Sequence, residues 1–262
     1  MTCTESRNGT RITLEICVDS PAGIGAAIAG GADRIELCSA LDVGGLTPGG
    51  ALTDFAVARA ADAGIAVHAM VRSRSGVFAY DTDEIDLAIR EALMLADRGV
   101  NGLVFGAARN GEVDVDAATR WMEGVRRGIG RSAALVFHRA IDLVDDPVAA
   151  VDRIAALGFT HILTSGGAPT AGEAHDVIAA MVARAAGRVE VIAGSGVRPE
   201  NVAALVAATG APAVHASASG IMGERDARVV AMGFASAARR TTDAGVVTGL
   251  KMALDNKSNV RQ

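Results

Sequence analysis

The sequence predicts an α/β fold, a single-domain (β/α)8 TIM barrel, and three observations carry that prediction. Short apolar or alternating segments recur eight times, nearly always followed by a longer stretch with apolar residues at helical spacing. The length of 262 residues suits eight such units, and no Pro/Ser-rich linker or shift in composition divides the chain. The first strand-to-helix turn, VDSPAGIGAAIAGG, lacks GxGxxG spacing, which argues against an open doubly wound sheet.

In chain order, the expected strands are ITLEICV (12–18), RIELC (34–38), AVHAMVR (66–72), GLVFG (102–106), ALVFHRA (134–140), HILTS (161–165), VEVIAG (189–194) and AVHAS (213–217). Expected helices include DSPAGIGAAIAGGA, DTDEIDLAIREALMLADRG, DDPVAAVDRIAALG and RPENVAALVAATG, each with a cap-like start and a Gly near its end. Pro147 and Pro199 stand where a first helical turn tolerates proline. Residues 220–242 read as an irregular insertion before a closing helix near Asp243 to Leu254. The barrel is expected to occupy 12–256, with a loosely attached segment at 1–11 and a tail at 257–262.

A hydrophobic content of 50% supports a large core, and a net charge of -5 without a Lys/Arg run offers no footprint for nucleic acid or an anionic membrane. Neither partner is expected. MTCTESRNGT lacks the apolar stretch of a signal peptide and no later run is long enough to span a membrane, so a cytoplasmic location is expected. Cys3, Cys17 and Cys38 are too few for a disulfide framework and read as core residues, metal ligands or reactive thiols. Aromatics at 3% weigh against stacking platforms for sugars or bases.

Because the outer face of each barrel strand packs on helices, the alternating polar row must look inward or toward the mouth. This places Glu15 and Cys17 inside from strand one, Arg34, Glu36 and Cys38 from strand two, His68, Met70 and Arg72 from strand three, and His215 from strand eight. Two inward carboxylates on neighbouring strands would share a proton or recruit a cation such as Arg34, Arg72 or Arg139. Structural ion pairing on the barrel floor and a catalytic set both remain open. His138 suits a general base, Arg72 and Arg139 anion clamps, and Asp142 a residue orienting either His138 or Arg139. The facing of the consecutive His138 and Arg139 is not fixed by alternation. Gly194, Ser195 and Gly196, before a helix opening near Pro199, could cradle a phosphate or carboxylate or form an ordinary tight turn. Thr164, Ser165 and Gly166 add polar groups on the same rim. Cys17 and Cys38, with His68, Met70 or His215 nearby, would suit a Cu(I) ion, although buried cysteine also serves as a small apolar side chain.

The segments LEICVDS, GADRIELCSALDVGGLTP, VHAMVRSRSGVFAY, FHRAIDLVDDP, LGFTHILTSG, AGSGVRPENV and VHASA together closely resemble the CutC family of copper homeostasis proteins, from about Leu14 to His215. The resemblance implies a TIM barrel, a cytoplasmic location and involvement in copper handling, with Cys17 and Cys38 as the positions for copper. It also carries over Glu15, Glu36, Arg72, His138, Arg139, Asp142 and Thr164 to Gly166. Departures fall in rim loops: Gly49 replaces the usual Ser, Arg72-Ser73-Arg74-Ser75-Gly76 replaces Arg-Pro-Arg-Gly-Gly, and Val77 replaces an acidic residue. Two functions are therefore expected as alternatives: Cu(I) binding, or an enzyme acting on a small anionic metabolite. A homo-oligomer is expected.

Overall fold

The computed structural model describes residues 11–129, 133–223 and 226–260. Eight parallel strands close into a barrel in the order β1-β10-β9-β8-β7-β4-β3-β2. They are β1 (Thr13–Val18), β2 (Arg34–Leu37), β3 (Ala66–Met70), β4 (Gly102–Phe105), β7 (Ala134–Phe137), β8 (His161–Thr164), β9 (Glu190–Gly194) and β10 (Ala213–Ala216). Two antiparallel ribbons are additional: β5 (Ala108–Arg109) with β6 (Glu112–Val113), and β11 (Ser219–Gly223) with β12 (Ala238–Thr242).

The helices that surround the barrel are α1 (Pro21–Ala29), α2 (Gly50–Ala63), α3 (Thr82–Asp97), α4 (Val115–Arg126), α5 (Pro147–Leu157), α6 (His175–Ala185), α7 (Val202–Thr209) and α9 (Ala244–Val260). A short α8 (Ala227–Ala231) lies between the strands of the second ribbon. Local chemistry fixes several helix starts. Ser20 caps α1 by accepting the Gly23 N–H, and Asp146 caps α5 by accepting the Ala149 N–H with Pro147 in the first turn. Asp81 and Glu84 form a reciprocal capping box at α3, each carboxylate accepting the other residue's N–H at 2.9 Å.

Alternation divides the core into two. Leu14, Ile16 and Val18 pack outward with the helices, whereas Cys38, Met70, Val104, Val136, Leu163, Ile192 and Ala213 form a separate inner cluster. Most of the few aromatics are used between barrel and helices: Phe105 stacks on Trp121 at 4.5 Å, and Phe159 lies 6.0 Å from Trp121 on its way to Phe137.

Several expectations are corrected. The fifth barrel strand stops at Phe137, because His138 caps a 3-10 helix over Arg139–Leu143 by accepting the Ala140 N–H at Nδ1. The helix expected near Pro199 begins at Val202, after a turn in which the Asn201 side chain accepts the Arg198 N–H. The supposedly irregular segment 220–242 contains a β-hairpin arm, and the closing helix runs past residue 256 to Val260. Of the N-terminal segment 1–11, residues 1–10 and with them Cys3 lie outside the described residues; Arg11 pairs with Asp33 at 2.5 Å.

Candidate functional site

Glu15 and Glu36 do not stand opposite each other on their neighbouring strands. Register sets Glu15 beside Arg34 and His215, and Cys17 beside Glu36. The Arg34 Nε donates to Glu15 at 2.5 Å, and the same guanidinium reaches Glu190 at 3.3 Å. His215 Nδ1 lies 2.8 Å from the other Glu15 oxygen, with its Nε2 3.8 Å from Glu36. Glu15 is therefore a buried anion between two basic groups. Burial pulls its pKa upward, but Arg34 and then His215 outweigh that, holding the carboxyl well below its usual range.

For His215 burial again opposes charge, yet Glu36, Cys17 and Glu15 together raise its pKa well above the ordinary histidine value. Glu36 behaves differently from Glu15. Burial raises its pKa; the cationic His215 pulls back and the Glu15 charge pushes further up, for a net upward shift. Among the described residues its Oε1 has no hydrogen-bond partner. Cys38 points its Sγ at Glu36 Oε2, 3.7 Å away, and burial followed by the Glu36 charge holds its thiol well above the usual range.

Above this floor opens a cavity of about 860 Å³, lined by Cys17, Glu36, Arg72, His138, Arg139, Ser195, Gly196 and His215 among others. It lies at the C-terminal ends of the barrel strands, where this architecture places ligand sites. The His138 ring fits because Gly106 has no side chain: a Cβ there would stand 2.6 Å from His138 Nδ1. With Nδ1 accepting the Ala140 N–H, the proton sits on Nε2, which is buried and has no partner among the described residues. Burial, then the Arg72 charge, lowers the His138 pKa to about 3, so the ring is a neutral donor. Arg72 acts as a strut: Nη1 donates to the Val43 and Gly45 carbonyls and Nη2 to Gly76.

Asp142 ties two rim loops together. It accepts the Ser165 N–H, the Gly167 N–H and the Thr164 hydroxyl, and it holds Arg139 Nε at 2.7 Å. Arg139 also donates to the Ser165 hydroxyl at 2.8 Å. Asp142 thus orients Arg139. Thr164 and Ser165 are fully buried and turned to this knot, and neither they nor Gly166 line the cavity. Gly194 ends β9, where a Cβ would meet Leu163 at 2.7 Å, and it also stays off the lining. Glu15, Cys38 and Asp142 stand behind the surface residues.

Sequence reasoning missed two basic lining residues, Arg198 and Arg240. Arg198 lies within AGSGVRPENV, where a basic residue straight after a Gly-rich turn was an available signal. Arg240 had none, because only the folding back of the hairpin arm brings it to Ser219 and the cavity.

The closed parallel barrel with a polar cavity at its C-terminal mouth defines a TIM-barrel protein with a ligand-type site. The chain belongs to the CutC family, whose model matches residues 12–220. It is 42% identical over 247 residues to a family protein CutC of Rhizobium meliloti (strain 1021), covering 94% of this chain and 97% of that one. A family protein CutC of Caulobacter vibrioides (strain NA1000 / CB15N) is also 42% identical, over 93% and 97% of the two chains. A solved structure described as the putative copper homeostasis protein CutC from Streptococcus agalactiae superposes with a TM-score of 0.73 at 29% identity, covering 79% of this chain and 98% of that one. Deoxyribose phosphate aldolase from Aeropyrum pernix, at 16% identity and a TM-score of 0.59 over 78% of this chain and 85% of that one, shares the fold.

Proposed function

We propose that the chain is an enzyme acting on a small anionic metabolite at the barrel mouth. The observation that carries this reading is a pair of orphaned atoms: among the described residues Glu36 Oε1 and His138 Nε2 are buried without hydrogen-bond partners, on residues lining one cavity. Each such group costs about 1–3 kcal/mol when left unsatisfied, and a ligand with matching polar atoms recovers that cost. His138 then donates to a ligand oxygen, Arg139 meets its negative charge, and Glu36 exchanges a proton with it near the cationic His215. A thermal-shift panel of phosphorylated, carboxylated and neutral metabolites tests this. A fitting anion at 100 times its Kd adds about 2.7 kcal/mol of stability, a rise of roughly 5–10 °C for a chain of this size. Arg139→Gln should abolish the rise; neutral compounds stabilising as well as anions would overturn the reading.

The alternative, Cu(I) held by Cys17 and Cys38, is favoured by the presence of both thiols beside Glu36 and by the naming of the S. agalactiae relative as a copper homeostasis protein. Against it, Cys38 stays off the cavity lining and outside the group of Cys17, Glu36 and His215 whose donor atoms gather within 4.8 Å of one another. A cytoplasmic location is part of the proposal, supported by Cys17 and Cys38 being free thiols, as a reducing compartment would keep them; among the described residues no helix is long and apolar enough to cross a membrane. A homo-oligomer belongs to the same proposal, supported by exposed Ile221 and Phe234 on the hairpin arm. Sedimentation at micromolar concentration reads it, and a single monomeric species would refute it.

A further inference from the structure

We propose that Cys17, Glu36 and His215 form a binding site for a divalent ion of the zinc class, with Glu15 as the residue that positions His215. One ligand atom from each of the three lies within 4.8 Å of the others. Donor atoms around a four-coordinate zinc stand roughly 3–4 Å apart, so small side-chain shifts complete the set. All three come from adjacent staves of the closed barrel, β1, β2 and β10, which hold them more rigidly than loops would.

A second observation points to a ligand independently. Glu36 is only 3% exposed, lines the cavity, and has an oxygen, Oε1, with no partner. A third concerns orientation. Glu15 takes the His215 Nδ1 side at 2.8 Å and leaves Nε2 toward Glu36, the carboxylate–histidine arrangement that fixes a metal-ligating ring. The cavity side of the trio is open for a fourth ligand, as in catalytic rather than structural zinc sites.

The donor set selects the class of ion. One thiol, one imidazole and one carboxylate suit a borderline divalent cation, whereas Cu(I) prefers softer thiolate and thioether donors. Cys38, the second thiol of a copper pair, is not part of the trio. This inference rests on the enzyme reading and changes one role within it: the ion displaces the proton of the cationic His215 to solvent and polarises a ligand oxygen, and Glu36 serves as a ligand instead of exchanging a proton with the substrate. It does not depend on what the substrate is, because metal binding is read without turnover.

The test is titration of the metal-free full-length protein with Co(II), followed by displacement with Zn(II). The expected result is one equivalent bound, with a near-ultraviolet thiolate-to-cobalt charge-transfer band that Zn(II) removes stoichiometrically. Cys17→Ser and Cys17→Ala should lose that band, His215→Gln and Glu36→Gln should each weaken binding more than tenfold, and Glu15→Gln should weaken it about 10–100-fold. Cys38→Ser should leave the band in place. Circular dichroism and unfolding midpoints check that each variant is folded. Absence of stoichiometric Co(II) or Zn(II) binding overturns the proposal, as does loss of the band in Cys38→Ser, which would restore the two-thiol site. Neither failure bears on the Arg139-dependent response to anions.

Discussion

His138 shows how much one side chain's surroundings decide. Its Nδ1 is committed to the Ala140 N–H, Gly106 leaves room for its ring, and burial with the Arg72 charge lowers its pKa to about 3. Burial likewise lowers the His68 pKa to about 3. In the unfolded chain both titrate near about 6.5, so between about pH 6.5 and 3 the unfolded state binds protons that the folded state refuses. Stability should therefore fall as pH drops through that window. His215, shifted the opposite way, is protonated in both states below about 6.5 and leaves the slope unchanged there. With chelator present, unfolding free energies from urea titrations between about pH 6 and 4 should fall less steeply for His138→Gln than for the unaltered protein, by at most about 1.4 kcal/mol per pH unit. Equal slopes would show that His138 titrates normally. The sequence offered His138 as a general base; the neutral donor role follows from a hydrogen bond within a turn that alternation did not foresee.

At the scale of elements, strands and helices were largely legible, because caps, prolines and apolar spacing are local signals. Asp81 with Glu84, and Asp146 with Pro147, mark their helices as the sequence suggests. The misreadings occur where a side chain redirects the backbone, as at His138 after β7, or where a turn precedes the helix, as before α7. The hairpin arm was illegible because pairing Ser219–Gly223 with Ala238–Thr242 is a relation between distant segments. Packing between elements is equally nonlocal. Trp121 of α4, fully buried between Phe105 and Phe159, joins that helix to β4 and to the chain entering β8. Trp121→Ala should cost about 3–5 kcal/mol in urea unfolding, while Co(II) stoichiometry stays at one. A loss below about 1 kcal/mol would mean that this stack adds little to the barrel.

Across the whole molecule, closure of the sheet turns a row of inward polar residues into a graded site. Arg34, Glu15 and His215 form an ion-paired base, and Cys17 and Glu36 rise above it to the cavity. Loops from distant parts of the chain complete the mouth, with Asp142 fixing Arg139 from one side and the arm delivering Arg240 from another. Such convergence is typical of the architecture, in which rigid strands supply the floor and loops supply the variation.

The sequence by itself determined the barrel, the family and the side chains that turn inward, because a period of two along each strand is written locally. Only the tertiary structure decided which of those side chains meet. The offset between parallel strands in a closed barrel sets Glu15 against Arg34 and Cys17 against Glu36. The same offset leaves Cys38 outside the trio and brings His215, two hundred residues along the chain, to Glu15. No residue pattern within one strand encodes that offset, since it arises from closing all eight strands at once.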